Sequence, residues 1–259
     1  MDEAGHCAGN SYIQSWTKPP SFCKAYHMKK SLFLIAAALL AAVNVLFAQD
    51  CKNYYYLLNN AEVEMSMFDA KGTTVAKNVY KVLSVNKEGG STVSDFTVTT
   101  KDAKGASMSS GKGKFKCTGG EIMIDMKMSL PNMPQLKDMK MESDGSAFLN
   151  YPATLKEGQT LPDGSFEMSG NANGMDISLQ YQVTDRKVAG KEKITTAGGS
   201  WECYKITYKM NLGLKMMAMN MPIQMNATEW FAPGFGVVKT ATFKDGNPVG
   251  HMEITSFKK

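Results

Sequence analysis

The chain has 259 residues and a mass of 28.3 kDa, and 43% of its residues are hydrophobic and 20% charged. These fractions exclude a disordered, collagen-like or multi-span membrane protein. The formal net charge is +5, but every basic residue except Arg186 is a lysine. Because nucleic-acid recognition favours the planar guanidinium group, this composition indicates a solvated lysine surface and no nucleic-acid partner.

The first 48 residues predict the cellular location of the protein. Residues 28–48 combine two lysines, an apolar run and a small residue at the end, which is the arrangement of a secretory signal peptide cleaved near Ala48. Residues 1–27 precede that signal without apolar periodicity, so we interpret them as a mis-annotated or disordered extension. The apolar run is shorter than the ~20 residues that a membrane-spanning helix needs. The mature protein is therefore predicted to be periplasmic or extracellular, with no transmembrane span.

Residues 49–259 alternate apolar and polar positions in short runs that end at turn residues, the pattern of antiparallel strands. Strands are predicted at 122–128 and 175–183, among others. Asp and Gly, which tolerate the backbone angles of tight turns, mark three hairpins of similar design. These hairpin turns lie at residues 69–72, 102–105 and 243–247.

About a dozen such runs follow one another, and only residues 130–142 suit a short helix. Successive hairpins make the sheet antiparallel, and such a sheet must bury one of its faces. The predicted fold is therefore a single all-β domain over 49–259. We expect a strongly curved antiparallel sheet, barrel-like or half-barrel, with a two-layer β-sandwich as the alternative.

Several segments are together similar to a known family. They lie at residues 54–56, 68–72, 155–163, 190–196, 201–208 and 229–239. On these segments the chain resembles the TapB family of exported Bacteroidetes proteins, which is related to the DUF3108-like periplasmic domain of unknown function. The resemblance extends from about Cys51 to the C-terminus.

The resemblance implies an antiparallel β domain in the cell envelope or outside the cell. It brings no established activity, no catalytic residues and no cofactor. Three cysteines follow the leader, and relatives often keep the equivalent of Cys203 when they lack the other two. The resemblance therefore implies a disulfide between Cys51 and Cys117, with Cys203 left as a free, buried thiol.

Four aromatic residues on two strands of the C-terminal half are the candidate ligand-contact residues: Trp201, Tyr204, Tyr208 and Trp230. Large aromatic side chains usually fill a β core. In an open sheet, however, some of them would line the mouth.

Methionine is unusually frequent, with 20 residues that often fall at alternating positions. Met217, Met219 and Met221 could offer thioethers to Cu(I), which prefers sulfur ligands. Alternation also arises when methionines simply pack into a core or line an apolar groove. No metal site is therefore predicted, and the copper hypothesis remains the weaker alternative.

These observations favour an exported, non-enzymatic domain of the envelope whose concave face accepts a lipid or another apolar small molecule. The first alternative is a structural or assembly component that contacts other envelope proteins. The second is a secreted hydrolase, for which paired carboxylates could serve glycoside cleavage. The available acids are Asp163, Asp176, Asp185 and Glu229. Most of them neighbour turn residues, where carboxylates are usually solvated.

Overall fold

A computed structural model describes residues 51–126, 142–143, 148–172, 175–216 and 219–259. The predictions for residues 1–48 lie outside these described residues, as does the predicted helix over 130–142 apart from Glu142, which begins a strand. The strands are β1 Glu62–Asp69, β2 Thr74–Glu88, β3 Ser91–Asp102, β4 Ser107–Thr118, β5 Glu121–Asp125, β6 Glu142–Ser143, β7 Phe148–Tyr151, β8 Gly164–Ala172, β9 Met175–Thr196, β10 Gly199–Met216, β11 Met219–Ala232, β12 Gly236–Lys244 and β13 Asn247–Lys258.

The thirteen strands form one antiparallel sheet in the order β6-β8-β9-β10-β11-β12-β13-β1-β2-β3-β4-β5-β7. This nearly closed, barrel-shaped sheet confirms the all-β prediction and the barrel-like arrangement over the sandwich. A 3-10 turn lies at Tyr55–Leu57, ahead of β1. No helix in the described part of the chain is long and apolar enough to cross a membrane.

The hairpin turns follow from their Asp and Gly residues. The carboxylate of Asp69 accepts hydrogen bonds from the backbone N–H groups of Lys71 and Thr73, at 2.9 and 2.8 Å. Asp102 closes the β3–β4 turn in the same way, accepting from Lys104 and Ala106 at the same two distances. The glycines of both turns have positive φ angles, which explains the glycine at that position. The β1–β2 and β3–β4 turns therefore share one design, whereas the third predicted hairpin, β12–β13, turns at Asp245 and Gly246, which both have positive φ angles.

The concave side of the sheet is filled by the protein's own side chains. Tyr54, Tyr55 and Tyr56 enter this core ahead of β1, and each is at most 4% exposed. The ring of Tyr56 stacks on Phe115 of β4 with centroids 3.9 Å apart. Since aromatic side chains each bury a large apolar area, these residues dominate the energy of the core.

A disulfide joins Cys51, which precedes the sheet, to Cys117 of β4, with their Cα atoms 5.9 Å apart. This is the pairing that the family resemblance implies. Cys203 is free and buried. Burial, with Glu202 and Glu192 nearby, raises the pKa of its thiol to about 12, so the thiol stays protonated and unreactive.

Candidate functional site

The four aromatic residues expected to contact a ligand do not share one surface. Tyr208 faces the core and is 9% exposed; it pairs across the strands with the buried Ala227. Trp230 follows the buried Glu229 on β11, so it points to the opposite face of the sheet. The fold therefore does not bring Tyr208 and Trp230 together in a single ligand site.

The outward aromatic residues are engaged with charged neighbours. The ring of Trp230 has the ammonium groups of Lys205 and Lys239 at 5.8 and 5.9 Å from its centroid. Its indole N–H donates a hydrogen bond to Glu192. Cation–π contacts of this kind hold the ring in place on the outer face.

The two remaining aromatics also have partners within the chain. Lys191 lies 4.5 Å from the ring centroid of Tyr204. The ring of Trp201 packs on Phe235 with centroids 4.9 Å apart. Ligand contact by the four predicted residues stays a prediction.

The methionine cluster lies only partly within the described residues. Met219 and Met221 are 59% and 43% exposed near the start of β11, while Met217 lies outside the described part of the chain. Met219 pairs across the strands with Met216. The copper hypothesis therefore stays an untested, weaker alternative.

A buried polar cluster lies where the curved sheet closes. Arg186 of β9 is 1% exposed and donates from one terminal nitrogen to the carbonyls of Asn150 and Pro162, at 3.0 and 2.9 Å. Asn150 belongs to the edge strand β7, and Pro162 leads into β8 on the other side. Arg186 thus links the edge strand β7 to the segment that leads into β8, the strand next to the β6 edge.

Glu229 and Tyr151 complete this Arg186 cluster. The hydroxyl of Tyr151 donates to Glu229 at 3.1 Å, and the Arg186 guanidinium lies 4.8 Å from the ring centroid of Tyr151. Burial raises the pKa of Glu229, while Arg186 and the Tyr151 hydrogen bond act in the opposite direction. Two guanidinium nitrogens of Arg186 and Oε1 of Glu229 are buried without a hydrogen bond within the described residues.

Sequence reasoning missed both charged residues of this cluster. Arg186 was assigned to a solvated surface with the lysines, and Glu229 was one of several acids expected to be solvated. The structure corrects both assignments, since the two residues are only 1% and 6% exposed. A signal did exist for Glu229, because it occupies the same face as Ala227 and Phe231 in an alternating strand.

The exposed apolar side chains concentrate at one end of the sheet. The turns β1–β2, β3–β4, β10–β11 and β12–β13 all lie at this end, because neighbouring strands alternate in direction. We call it the hairpin-tip end. Of the six large hydrophobic side chains that are exposed in the described residues, five flank these turns. They are Val75, Met108, Met219, Met221 and Val249, whereas Leu83 lies in the middle of β2.

A surface cleft of about 370 Å³ opens between two of these tips. Phe243 and Pro248 form its apolar wall, and Ala241 and Gly250 form a floor without large side chains. A Cβ atom at Gly250 would lie 2.4 Å from the carbonyl oxygen of Phe68, so only glycine fits there. This tip cleft offers room for an apolar group at the hairpin-tip end.

His251 borders the tip cleft and is held by its neighbours. Its ring stacks on Phe68 with centroids 4.7 Å apart, and its Nε2 atom lies 3.8 Å from a carboxylate oxygen of Glu253. Glu253 also accepts from Lys239 at 2.8 Å. The Lys239–Glu253 ion pair and the His251 ring therefore lie beside the apolar wall of the cleft.

The amino-acid sequence matches the family described as DUF3108-like over residues 60–254. The chain belongs to the DUF3108-like family. No curated protein matches the chain. The assignment therefore rests on the family match.

Two solved structures resemble this family member. One is a Bacteroides fragilis protein described as exported and as having a YmcC-like fold; the TM-score is 0.67 and the sequence identity 21%. The other is a Parabacteroides distasonis protein described as a lipoprotein, with a TM-score of 0.68 and 21% identity. Each match covers 81% of this chain and 100% of the other. At this identity the likeness establishes the fold.

Proposed function

We propose that this protein is an exported, non-enzymatic domain of the cell envelope that contacts lipid through its hairpin-tip end. The observation that carries the proposal is the grouping of five of the six exposed large apolar side chains around the turns of that end. Scattered exposed apolar residues need no explanation, but a group of them at one end marks an interaction surface. The similar proteins described as exported and as a lipoprotein support the envelope location.

Charge at the hairpin tips favours a lipid headgroup surface. Each of three neighbouring turns presents an exposed lysine: Lys71, Lys104 and Lys244. Lysines near a bilayer are attracted to anionic headgroups, by roughly 1 kcal/mol each. In the same turns the carboxylates of Asp69 and Asp102 point back to backbone N–H groups. Lys71 and Lys104 are therefore the exposed charged residues of two of these turns, and in the third turn the exposed Asp245 accompanies Lys244.

The lipid contact is placed on the tips because the core leaves little room inside. Phe96, Phe115, Tyr151 and Phe231 are each at most 1% exposed on the concave side. The tip cleft, by contrast, is open and has an apolar wall. These observations support a surface contact with lipid more than the enclosed ligand expected from the sequence.

Vesicle flotation tests this proposal. The purified protein is expected to float with vesicles of phosphatidylethanolamine and phosphatidylglycerol, and less with vesicles of phosphatidylcholine alone. Combined replacement of Val75, Met108 and Val249 by serine is expected to weaken binding by about tenfold or more, because the apolar area available for insertion is lost.

Leu83→Ser is the matched control, since Leu83 and Val75 are equally exposed at 49% but Leu83 lies away from the tips. Equal loss in the control and the triple variant would refute a tip-specific contact. So would an unchanged affinity in the triple variant. Absence of flotation with either vesicle would favour the assembly alternative, in which the same end contacts envelope proteins.

Two narrower statements belong to this proposal. The absence of enzymatic activity predicts that panels of ester, glycoside and peptide substrates give no turnover. The closer resemblance to the TapB family within the DUF3108-like family is supported by the segments at residues 201–208 and 229–239.

A further inference from the structure

A second cleft lies on the outer face of β8–β11, and we propose that it binds a neutral oligosaccharide. Its volume is about 310 Å³, at the lower end of the ~300 to 1,000 Å³ that ligand pockets occupy. Its polar lining consists mainly of Ser178, Gln180, Gln182, Asn211 and Gln224. We call this cleft the amide groove.

Strand register builds the amide groove. Gln182, Asn211 and Gln224 are cross-strand neighbours on β9, β10 and β11, so their side chains form one row. In the next row Gln180 pairs with Gly213, which pairs with Pro222. The residues between these rows point into the core, as the alternation of a strand requires.

Gly213 lies at the floor of the groove, and close packing does not explain why this residue is a glycine. A Cβ atom there would have its nearest neighbour, the Cβ of Gln180, at 3.8 Å, which is an ordinary contact. Glycine inside a strand weakens it, and often marks a place where a ligand or a backbone approaches closely. A side chain at this position would occupy the space in which a ligand lies.

The groove offers hydrogen bonds that the described part of the protein does not use. The side-chain amides of Gln180, Gln182, Asn211 and Gln224 make no hydrogen bond within the described residues. Each primary amide both donates and accepts, which suits the hydroxyl groups of a sugar.

Charge and apolar contact narrow the ligand class further. Glu167 and Lys215 have opposite charges at the border of the groove, so the site has no net charge to attract an ion. Pro222 provides an apolar edge against which the C–H face of a sugar ring can pack. A neutral oligosaccharide matches this combination better than a phosphate or an acidic peptide.

Calorimetric titration with three tetrasaccharides tests the inference. Maltotetraose and tetra-N-acetylchitotetraose are the neutral probes, and tetragalacturonate is the acidic one. We expect at least one neutral probe to bind the purified protein, and the acidic probe to bind more weakly. Binding of neither neutral probe, or preference for the acidic one, overturns the proposal.

Two variants locate the site, with an amide elsewhere as the control. Gly213→Leu fills the floor and Asn211→Leu removes a central amide, so each is expected to weaken binding by about tenfold. Asn86→Leu removes an exposed amide from β2 and should leave the affinity unchanged. Equal affinity in all three variants overturns the proposal.

Two further measurements keep these outcomes separate. Thermal unfolding of each variant identifies one that fails to fold, in which case Gln182→Leu replaces it. The inference is independent of the lipid contact, so the triple serine variant of the hairpin tips should bind the sugar normally.

Discussion

The sheet holds unpaired polar atoms in two regions, and their surroundings give them opposite consequences. In the Arg186 cluster the atoms are buried, so each costs free energy unless its neighbours compensate. In the amide groove the side chains are open to solvent, which can satisfy them until a ligand takes its place. Polar atoms without a hydrogen-bond partner therefore affect the stability of the fold in the Arg186 cluster, whereas in the amide groove they are available to bind a ligand.

The largest expected effect comes from the buried region. Arg186→Met should lower the free energy of unfolding by about 3 to 5 kcal/mol, because it leaves Glu229 buried without its opposite charge. The carbonyls of Asn150 and Pro162 also lose their donor. Urea unfolding measures this change.

Lys114→Met is the control for this charge removal. Lys114 forms an ion pair with Asp95 at 3.5 Å, and its side chain is 51% exposed. Its replacement should therefore lower the free energy of unfolding by only about 0 to 1 kcal/mol. The double variant Arg186→Met with Glu229→Leu should recover part of the loss, since neither charge is then left alone. An Arg186→Met cost equal to that of the control would mean that the cluster is not needed for closure.

A smaller effect is expected from the protonation of Glu229. Burial raises the pKa of this carboxyl in the folded state, so the unfolded chain releases its proton first as the pH rises. The contribution of Glu229 to the free energy of unfolding is fully present below the pKa of the carboxyl in the unfolded chain, about 4.3. It is lost as the pH rises through the pKa of the carboxyl in the folded protein. Stability of Glu229→Gln should therefore depend less on pH in this window.

Chemical unfolding of both proteins between pH 4 and pH 7 measures that difference. Glu64, whose pKa is lowered chiefly by its hydrogen bond with Lys77, contributes in the opposite direction and is present in both proteins. Subtracting the stability curve of Glu229→Gln from that of the unchanged protein isolates the contribution of Glu229. Parallel curves would contradict a raised pKa at this position.

The smallest effect on stability is expected in the amide groove. Gln182→Ala and Asn211→Ala should change the free energy of unfolding by no more than about 0.5 kcal/mol, because these side chains have no partner to lose within the described residues. A loss well above this value would show that the amides stabilise the sheet and would remove the contrast with the Arg186 cluster.

The fold could be predicted largely because its signals are local. The Asp and Gly residues at 69–72 and 102–105 determine their turns by hydrogen bonds within five residues of chain. Alternation then assigns each strand a buried face, as in Tyr181 and Val183. Family resemblance, and not any local signal, supplied the disulfide.

The candidate sites could not be predicted because they depend on long-range register. Gln182, Asn211 and Gln224 form a row only once β9, β10 and β11 are aligned. Arg186 is buried against Asn150 and Pro162, which lie 36 and 24 residues away in the chain, so no neighbouring residue indicates its burial. The sequence drew attention instead to large aromatics such as Trp230, whose size is visible without knowledge of the fold.

The disulfide gives the core a dependence on cellular compartment. Tyr54–Tyr56 belong to no strand, and Cys51 is their covalent link to β4. In a reducing compartment this link is lost. The segment is then held by noncovalent contacts alone, such as the hydrogen bonds from the Tyr55 hydroxyl to the carbonyl of Val237 and from the Ser94 hydroxyl to the carbonyl of Tyr56. The covalent closure of this part of the core therefore depends on an oxidising compartment.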